Sequence, residues 1–117
     1  MNLTRSEVRV LAVDGAKAAV TMRVREDEPV FEGHYPAQAV FPGVCVVDFV
    51  CRGAAAAFDR EVVLSAIESA QFRTAIGPGD DLEAELTWQD DRLAAVVAAN
   101  GNQAAKLRLR VDPRGRS

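Results

Sequence analysis

One segment limits what this chain can fold into. From Val44 to Phe58 the residues are apolar on every side of a helix except at Asp48 and Arg52. A helix that is apolar all round has to be buried. No other part of the 117 residues has convincing helical periodicity, so strands must supply the cover. Pro42 suits the first turn, where its missing N–H costs nothing, and Asp59-Arg60 ends the segment.

The rest of the chain alternates with the period of strands. Val8, Val10 and Ala12 alternate with Glu7, Arg9 and Leu11, and Asp14-Gly15 supplies a turn. Val20, Met22 and Val24 then alternate with Thr21, Arg23 and Arg25. Residues 25–38 contain Pro29, Gly33 and Pro36 and read as a loop. Val62 to Ile76 reads as one extended run, broken at Gly77-Pro78-Gly79. Ala84, Leu86 and Trp88 face one way while Glu83, Glu85 and Thr87 face the other. Arg92 to Ala99 leads through Asn100-Gly101, a two-residue hairpin signal, to Leu107, Leu109 and Val111. About six strands with tight turns and one buried helix predict an α+β fold. The expected architecture is a single hot-dog domain, an antiparallel sheet wrapped around one long central helix. It is expected to occupy residues 1–111, with 112–117 a short C-terminal tail.

Composition excludes several functions. A net charge of -3 leaves no basic excess for displacing counterions, so nucleic acid is not an expected partner. No apolar run has the length to cross a bilayer, and the amino terminus lacks the apolar core of a signal peptide. A cytoplasmic protein is expected, without membrane attachment. Cys45 and Cys51 lie six residues apart on the helix, about 9 Å along its axis, too far for a disulfide. With one histidine and no close cysteine pair, neither a metal site nor a cofactor is expected.

The chemistry-bearing residues concentrate between Phe31 and Asp48. His34, the only histidine, sits in a Gly-His-Tyr-Pro turn. Pro42-Gly43 opens the helix, and Asp48 stands fourteen positions after His34. This stretch resembles the β-hydroxyacyl-[acyl-carrier-protein] dehydratases of fatty-acid and polyketide synthesis. These carry Phe-x-Gly-His-Phe-Pro, then Pro-Gly-Val or Pro-Gly-Cys, and an acid at the same spacing. Ser69 to Arg73 and Gly77-Pro78-Gly79-Asp80 resemble the family's later strand and turn. The resemblance runs from about Val8 to Val111.

Loss of water from a 3-hydroxyacyl thioester needs a base at the carbon beside the thioester and an acid at the departing hydroxyl. It also needs a donor for the charge developing on the thioester oxygen. His34 is the candidate base, because its charge changes near neutral pH. Asp48 is the candidate acid, because burial favours the protonated carboxyl that can donate. The Gly43 N–H, at the positive end of the helix, can polarise the carbonyl. The resemblance implies these roles, and implies that His and acid meet across a dimer interface. Phe41, Gly43, Val44 and Arg52 are the candidate substrate-binding residues, and the substrate implied by the resemblance is a 3-hydroxyacyl chain on acyl carrier protein.

Arg52 departs from the glutamine usual in that family. One turn from Asp48, it has three readings: an ion pair with Asp48, a substrate contact, or a contact to a second protomer. Phe31, Phe41 and Phe49 suit either an acyl tunnel or plain core. The row Lys106, Arg108, Arg110 reads as a solvated strand face, with carrier docking the lesser reading. The implied assembly is a homodimer or higher oligomer, or a heterodimer with a second hot-dog chain. Two rivals share the fold: an acyl thioesterase, and a non-catalytic carrier-protein-binding subunit of a heterodimeric dehydratase.

Overall fold

The computed structural model describes residues 4–32 and 40–112. Strands β1 (Val8–Asp14) and β2 (Lys17–Arg23) precede a short 3-10 turn, Pro29–Phe31, and the helix α1 (Gly43–Phe58). Strands β3 (Leu64–Phe72), β4 (Asp81–Gln89), β5 (Arg92–Ala99) and β6 (Asn102–Val111) follow. All six strands form one antiparallel sheet in the order β1-β2-β4-β5-β6-β3. Helix α1 therefore carries the chain from one side of the sheet to its far edge, and β4 returns beside β2. This is the hot-dog arrangement that the periodicity predicts. The expected tail beyond Asp112 lies outside the described residues.

Every second residue of the central strands is buried. Val20 and Met22 of β2, Leu82, Leu86 and Trp88 of β4, Leu93 and Val97 of β5, and Leu107 and Leu109 of β6 make the concave face. On the helix Val46, Phe49, Val50 and Ala54 meet them. The two layers approach closely at Gly53. A Cβ there would lie 2.7 Å from Val20 Cγ2, so only glycine lets this turn of α1 rest on β2 without displacement.

The helix ends where the sequence places its end. Asp59 takes the left-handed conformation at φ 51°, and its N–H and that of Arg60 both donate to the Ala55 carbonyl. Asn100 and Gly101 adopt φ 51° and 85° and form the turn between β5 and β6, as the dipeptide predicts.

Two expectations are corrected. The extended run does not continue to Ile76: β3 stops at Phe72, because the Arg73 and Thr74 N–H groups both turn onto the Ala104 carbonyl (2.8 and 3.4 Å). Ile76 instead accepts from the Phe41 N–H at 2.6 Å, which moors the lead-in to α1. In β1 the register slips between Val10 and Ala12. The bulge breaks the alternation read from the sequence and leaves Val10 and Leu11 both exposed.

The two edges differ from the middle of the sheet. In β3, Ile67 pairs with Leu109, Ala70 with Leu107 and Phe72 with Ala105. Directly paired residues share a face, so these three point to the core side. Ile67 and Phe72 are nevertheless half exposed, at 50% and 49%.

Candidate active site

Asp48 is the sixth residue of α1, between Val47 and Phe49, and is completely inaccessible. A buried carboxylate is costly, and replacing a buried ion pair by apolar residues is commonly neutral or stabilising. Packing therefore gives no reason for an acid at this place. Its electrostatic influence reaches both helix cysteines. Burial first, and the charge of Asp48 second, push the Cys51 thiol up to about 11. Cys45 is raised by burial, then by Asp48 and then by Glu28. Both thiols are buried and unbridged.

Arg52 sits one turn on, with its guanidinium turned to the segment ahead of β1. Nη1 donates to Thr4 Oγ1 at 2.8 Å and Nη2 donates to the Ser6 carbonyl at 2.9 Å. Nη1 is also 3.7 Å from Asp48 Oδ2, an ion-pair distance beyond hydrogen bonding. The neighbourhood of the carboxyl is thus cationic, while the directional bonds of Arg52 go elsewhere.

Gly43 begins α1 after Pro42, and no side chain caps this end. It stands five residues before Asp48, about 7.5 Å along the axis. The Phe72 ring lies over it: a Cβ on Gly43 would meet Phe72 Cζ at 3.0 Å. Val44 is 56% exposed beside this start. Phe41 is buried, with its ring 6.2 Å from that of Phe31. Phe49 is wholly enclosed and belongs to the core between helix and sheet. Asp48 and Arg52, four residues apart, share one side of the helix, whereas Gly43 is its first residue and Phe41 belongs to the lead-in. His34 lies outside the described residues. The 3-10 turn Pro29–Phe31, which delivers the chain toward it, is described, and Phe31 is buried.

Three further residues of this neighbourhood were not legible in the sequence. Glu28, just ahead of the 3-10 turn, is buried. It accepts from the Arg5 N–H at 2.7 Å, from the Ser6 N–H at 2.8 Å and from the Ser6 hydroxyl. Thr4 and Ser6 are buried as well. Ser6 and Arg5, the partners of Glu28, are 22 and 23 residues from it, a separation that local pattern cannot reveal.

The basic row of β6 stands on the outer face. Arg110 there is engaged by Glu68 at 3.2 Å and by Asp91 at 3.8 Å. A surface depression near Thr87, Arg92 and Arg108 lies on that same outer face, away from Asp48. Among the described residues no group of three or more His, Cys, Asp or Glu is placed to hold a metal, and no helix is long and apolar enough to cross a membrane.

Comparison with known proteins agrees with the fold. The FabZ 3-hydroxyacyl-[acyl-carrier-protein] dehydratase of Rickettsia massiliae is 32% identical over 86% of this chain and 79% of its own length. That of Rickettsia felis is 33% identical over the same shares. Among solved structures, a chain of the dehydratase heterocomplex ApeI:P from Xenorhabdus doucetiae superposes with a TM-score of 0.79 at 20% identity, covering 93% of this chain and 97% of that one. Thioesterase superfamily member 2 of Mus musculus shares the fold at a TM-score of 0.65 and 13% identity, over 89% and 80% of the two chains. The family model for the ApeI dehydratase matches residues 11–110, and this chain belongs to that ApeI-like dehydratase family.

Proposed function

We propose that this protein removes water from a 3-hydroxyacyl thioester carried on acyl carrier protein, giving the trans-2-enoyl thioester. One observation carries the proposal: an inaccessible aspartate in the middle of a helix that is apolar apart from it and Arg52, five residues after an uncapped glycine start. Asp48 in that place has no packing role, and a buried acid that packing does not require is a candidate for chemistry. In this reading His34 takes the proton from the carbon beside the thioester. Asp48 gives a proton to the hydroxyl on the next carbon, which leaves as water while the double bond forms. The Gly43 N–H holds the charge that builds on the thioester oxygen. Phe41 and Val44 flank the acyl chain near that donor.

The proposal includes a second hot-dog chain, a copy of this one or a relative, paired along β3. The core side of β3 carries Ile67 and Phe72 half exposed, and a sheet edge with apolar residues uncovered is a place for strand pairing. The relatives named FabZ are carrier-protein dehydratases, and the structural neighbour ApeI:P is a heterocomplex. Both support the substrate and the paired assembly.

A second reading has one observation in its favour. The guanidinium 3.7 Å from Asp48 suits a carboxyl held as an ion, as in a carrier-binding subunit whose partner does the chemistry. Incubating the purified protein with 3-hydroxyacyl carrier proteins of several chain lengths and weighing the products separates the readings. Loss of one water from the carrier-bound chain supports dehydration. Release of free acid and carrier thiol would mean a thioesterase. No change alone, with turnover restored by a second hot-dog chain, would mean the partner subunit.

A further inference from the structure

Ser6 has every polar group in use. Its N–H and its hydroxyl both donate to the Glu28 carboxylate. Its Oγ accepts from the Arg25 N–H at 3.0 Å, and its carbonyl accepts from Arg52 Nη2 at 2.9 Å. Ser6 is wholly inaccessible and Glu28 is 1% exposed. The node therefore joins three pieces of chain. The first is the exit of β2 at Arg25. The second is Glu28, which opens the 3-10 turn and stands six residues before His34. The third is the turn of α1 that follows Asp48.

We infer that Ser6 and Glu28 are positioning residues: with Arg52 they form a brace that fixes the lead-in to His34 relative to the Asp48 turn of α1. The inference rests on the dehydratase reading for its catalytic consequence, although the brace itself does not. Several features favour a positioning role over a general stability role. The carboxylate is buried at the entrance of the loop, not in the sheet core. Its donors come from one short segment of chain. The same serine that satisfies it also satisfies Arg52, one turn from the candidate acid. Removing the Ser6 hydroxyl leaves its backbone bonds in place but deprives Glu28 of a charge-assisted bond and the Arg25 N–H of its acceptor. Slack of that kind misaligns two groups that have to act on neighbouring carbons, and misplacement by about 1 Å can cost about a hundredfold in rate.

The test uses Ser6→Ala and Glu28→Gln in the full chain, with steady-state kinetics on a 3-hydroxyacyl carrier protein and hydrogen exchange of the free protein. The expected result for each variant is kcat lowered at least about tenfold with KM within about twofold, and the double variant no worse than the poorer single one. Exchange is expected to quicken both at residues 28–32 and at residues 49–55, with β4 and β5 unchanged. Unchanged kcat with only a lower melting temperature would reduce the node to ordinary stability and overturn the inference. A raised KM at constant kcat would overturn it as well, since that marks ligand contact. Exchange confined to one of the two segments would show that no brace exists. If the wild-type protein dehydrates nothing, the dehydratase reading falls, and the paired exchange response still decides the brace.

Discussion

Arg52 Nη1 lies 3.7 Å from Asp48 Oδ2, whereas its hydrogen bonds go to two neutral oxygens, Thr4 Oγ1 at 2.8 Å and the Ser6 carbonyl at 2.9 Å. The arginine thus acts on Asp48 through charge and on the amino-terminal segment through geometry. Arg52→Gln separates the two. Loss of the bonds to Thr4 and Ser6 is expected to lower stability by about 1–3 kcal/mol in denaturant titration. Removing a cation beside a carboxyl favours its protonated form, so the limb of the pH–rate profile that tracks Asp48 is expected to move to higher pH. An unmoved limb with a raised KM would make Arg52 a substrate contact.

His34→Ala and Asp48→Asn are each expected to abolish dehydration while the protein stays folded by circular dichroism. Asp48→Asn keeps the shape of the side chain and removes its proton donor, so a loss of at least about a hundredfold in kcat is expected. A His34→Ala protein retaining more than a tenth of the wild-type rate, about 1.4 kcal/mol of barrier, would remove His34 from the mechanism.

Gly53→Ala places a methyl 2.7 Å from Val20 Cγ2. Helix propensity favours alanine by about 1 kcal/mol, but neither the helix backbone nor a β-branched strand residue yields cheaply. Net destabilisation of about 1–3 kcal/mol is expected by chemical denaturation. Adding Val20→Ala should return part of it. A Gly53→Ala protein more stable than wild type would show that the helix is free to lift from β2.

Alkaline stability follows from Cys51, whose thiol is pushed up to about 11 in the fold, above its ordinary value of 9.0. Unfolded chains lose that proton first as pH rises, so between those two values the unfolded state binds fewer protons than the native one. Stability therefore falls with rising pH across that window, by at most about 1.4 kcal/mol per unit from this group. Below it the contribution is fully present. Cys51→Ala should flatten the decline relative to wild type between pH 9.0 and 11, and an identical slope would exclude the thiol as its source.

Ile67→Glu on β3 tests the paired assembly. Ile67 is already half exposed in the single chain, so the fold is expected to survive. The variant should sediment as a monomer and lose most activity. Sedimentation identical to that of wild type would move the interface away from β3.

The helix and four of the strands were readable from strong local signals: Val44 to Phe58 apolar but for Asp48 and Arg52, alternation in β2, β4 and the second half of β6, and the Asn100-Gly101 turn that marks the end of β5. Edge strands resisted. In β1 the extra residue at Leu11 shifts the phase, and β3 stops at Phe72 because the Ala104 carbonyl, thirty residues on, captures the next two N–H groups. Asp48 stood out as an acid in an apolar run, and Pro42-Gly43 as a helix start. Ser6 and Glu28 did not, since a serine before a strand and a glutamate in a loop look solvated until long-range donors bury them. Arg52 stood out as a departure from the family, but the oxygens it binds belong to Thr4 and Ser6, forty-eight and forty-six residues away.

Trp88 is the only tryptophan of the chain and is 6% exposed at the carboxyl end of α1. The Phe58 ring meets its edge at 5.7 Å, the Arg60 guanidinium lies 4.2 Å from its centroid, and its indole N–H donates to the Asp90 carbonyl at 3.1 Å. A helix of 16 residues, about 24 Å long, separates this cluster from Gly43. The protein therefore carries a built-in fluorophore whose emission reports how firmly the far end of the helix is seated. Light from that single indole can follow unfolding of the core, and it is expected to stay constant when a ligand binds at the opposite end without moving the helix.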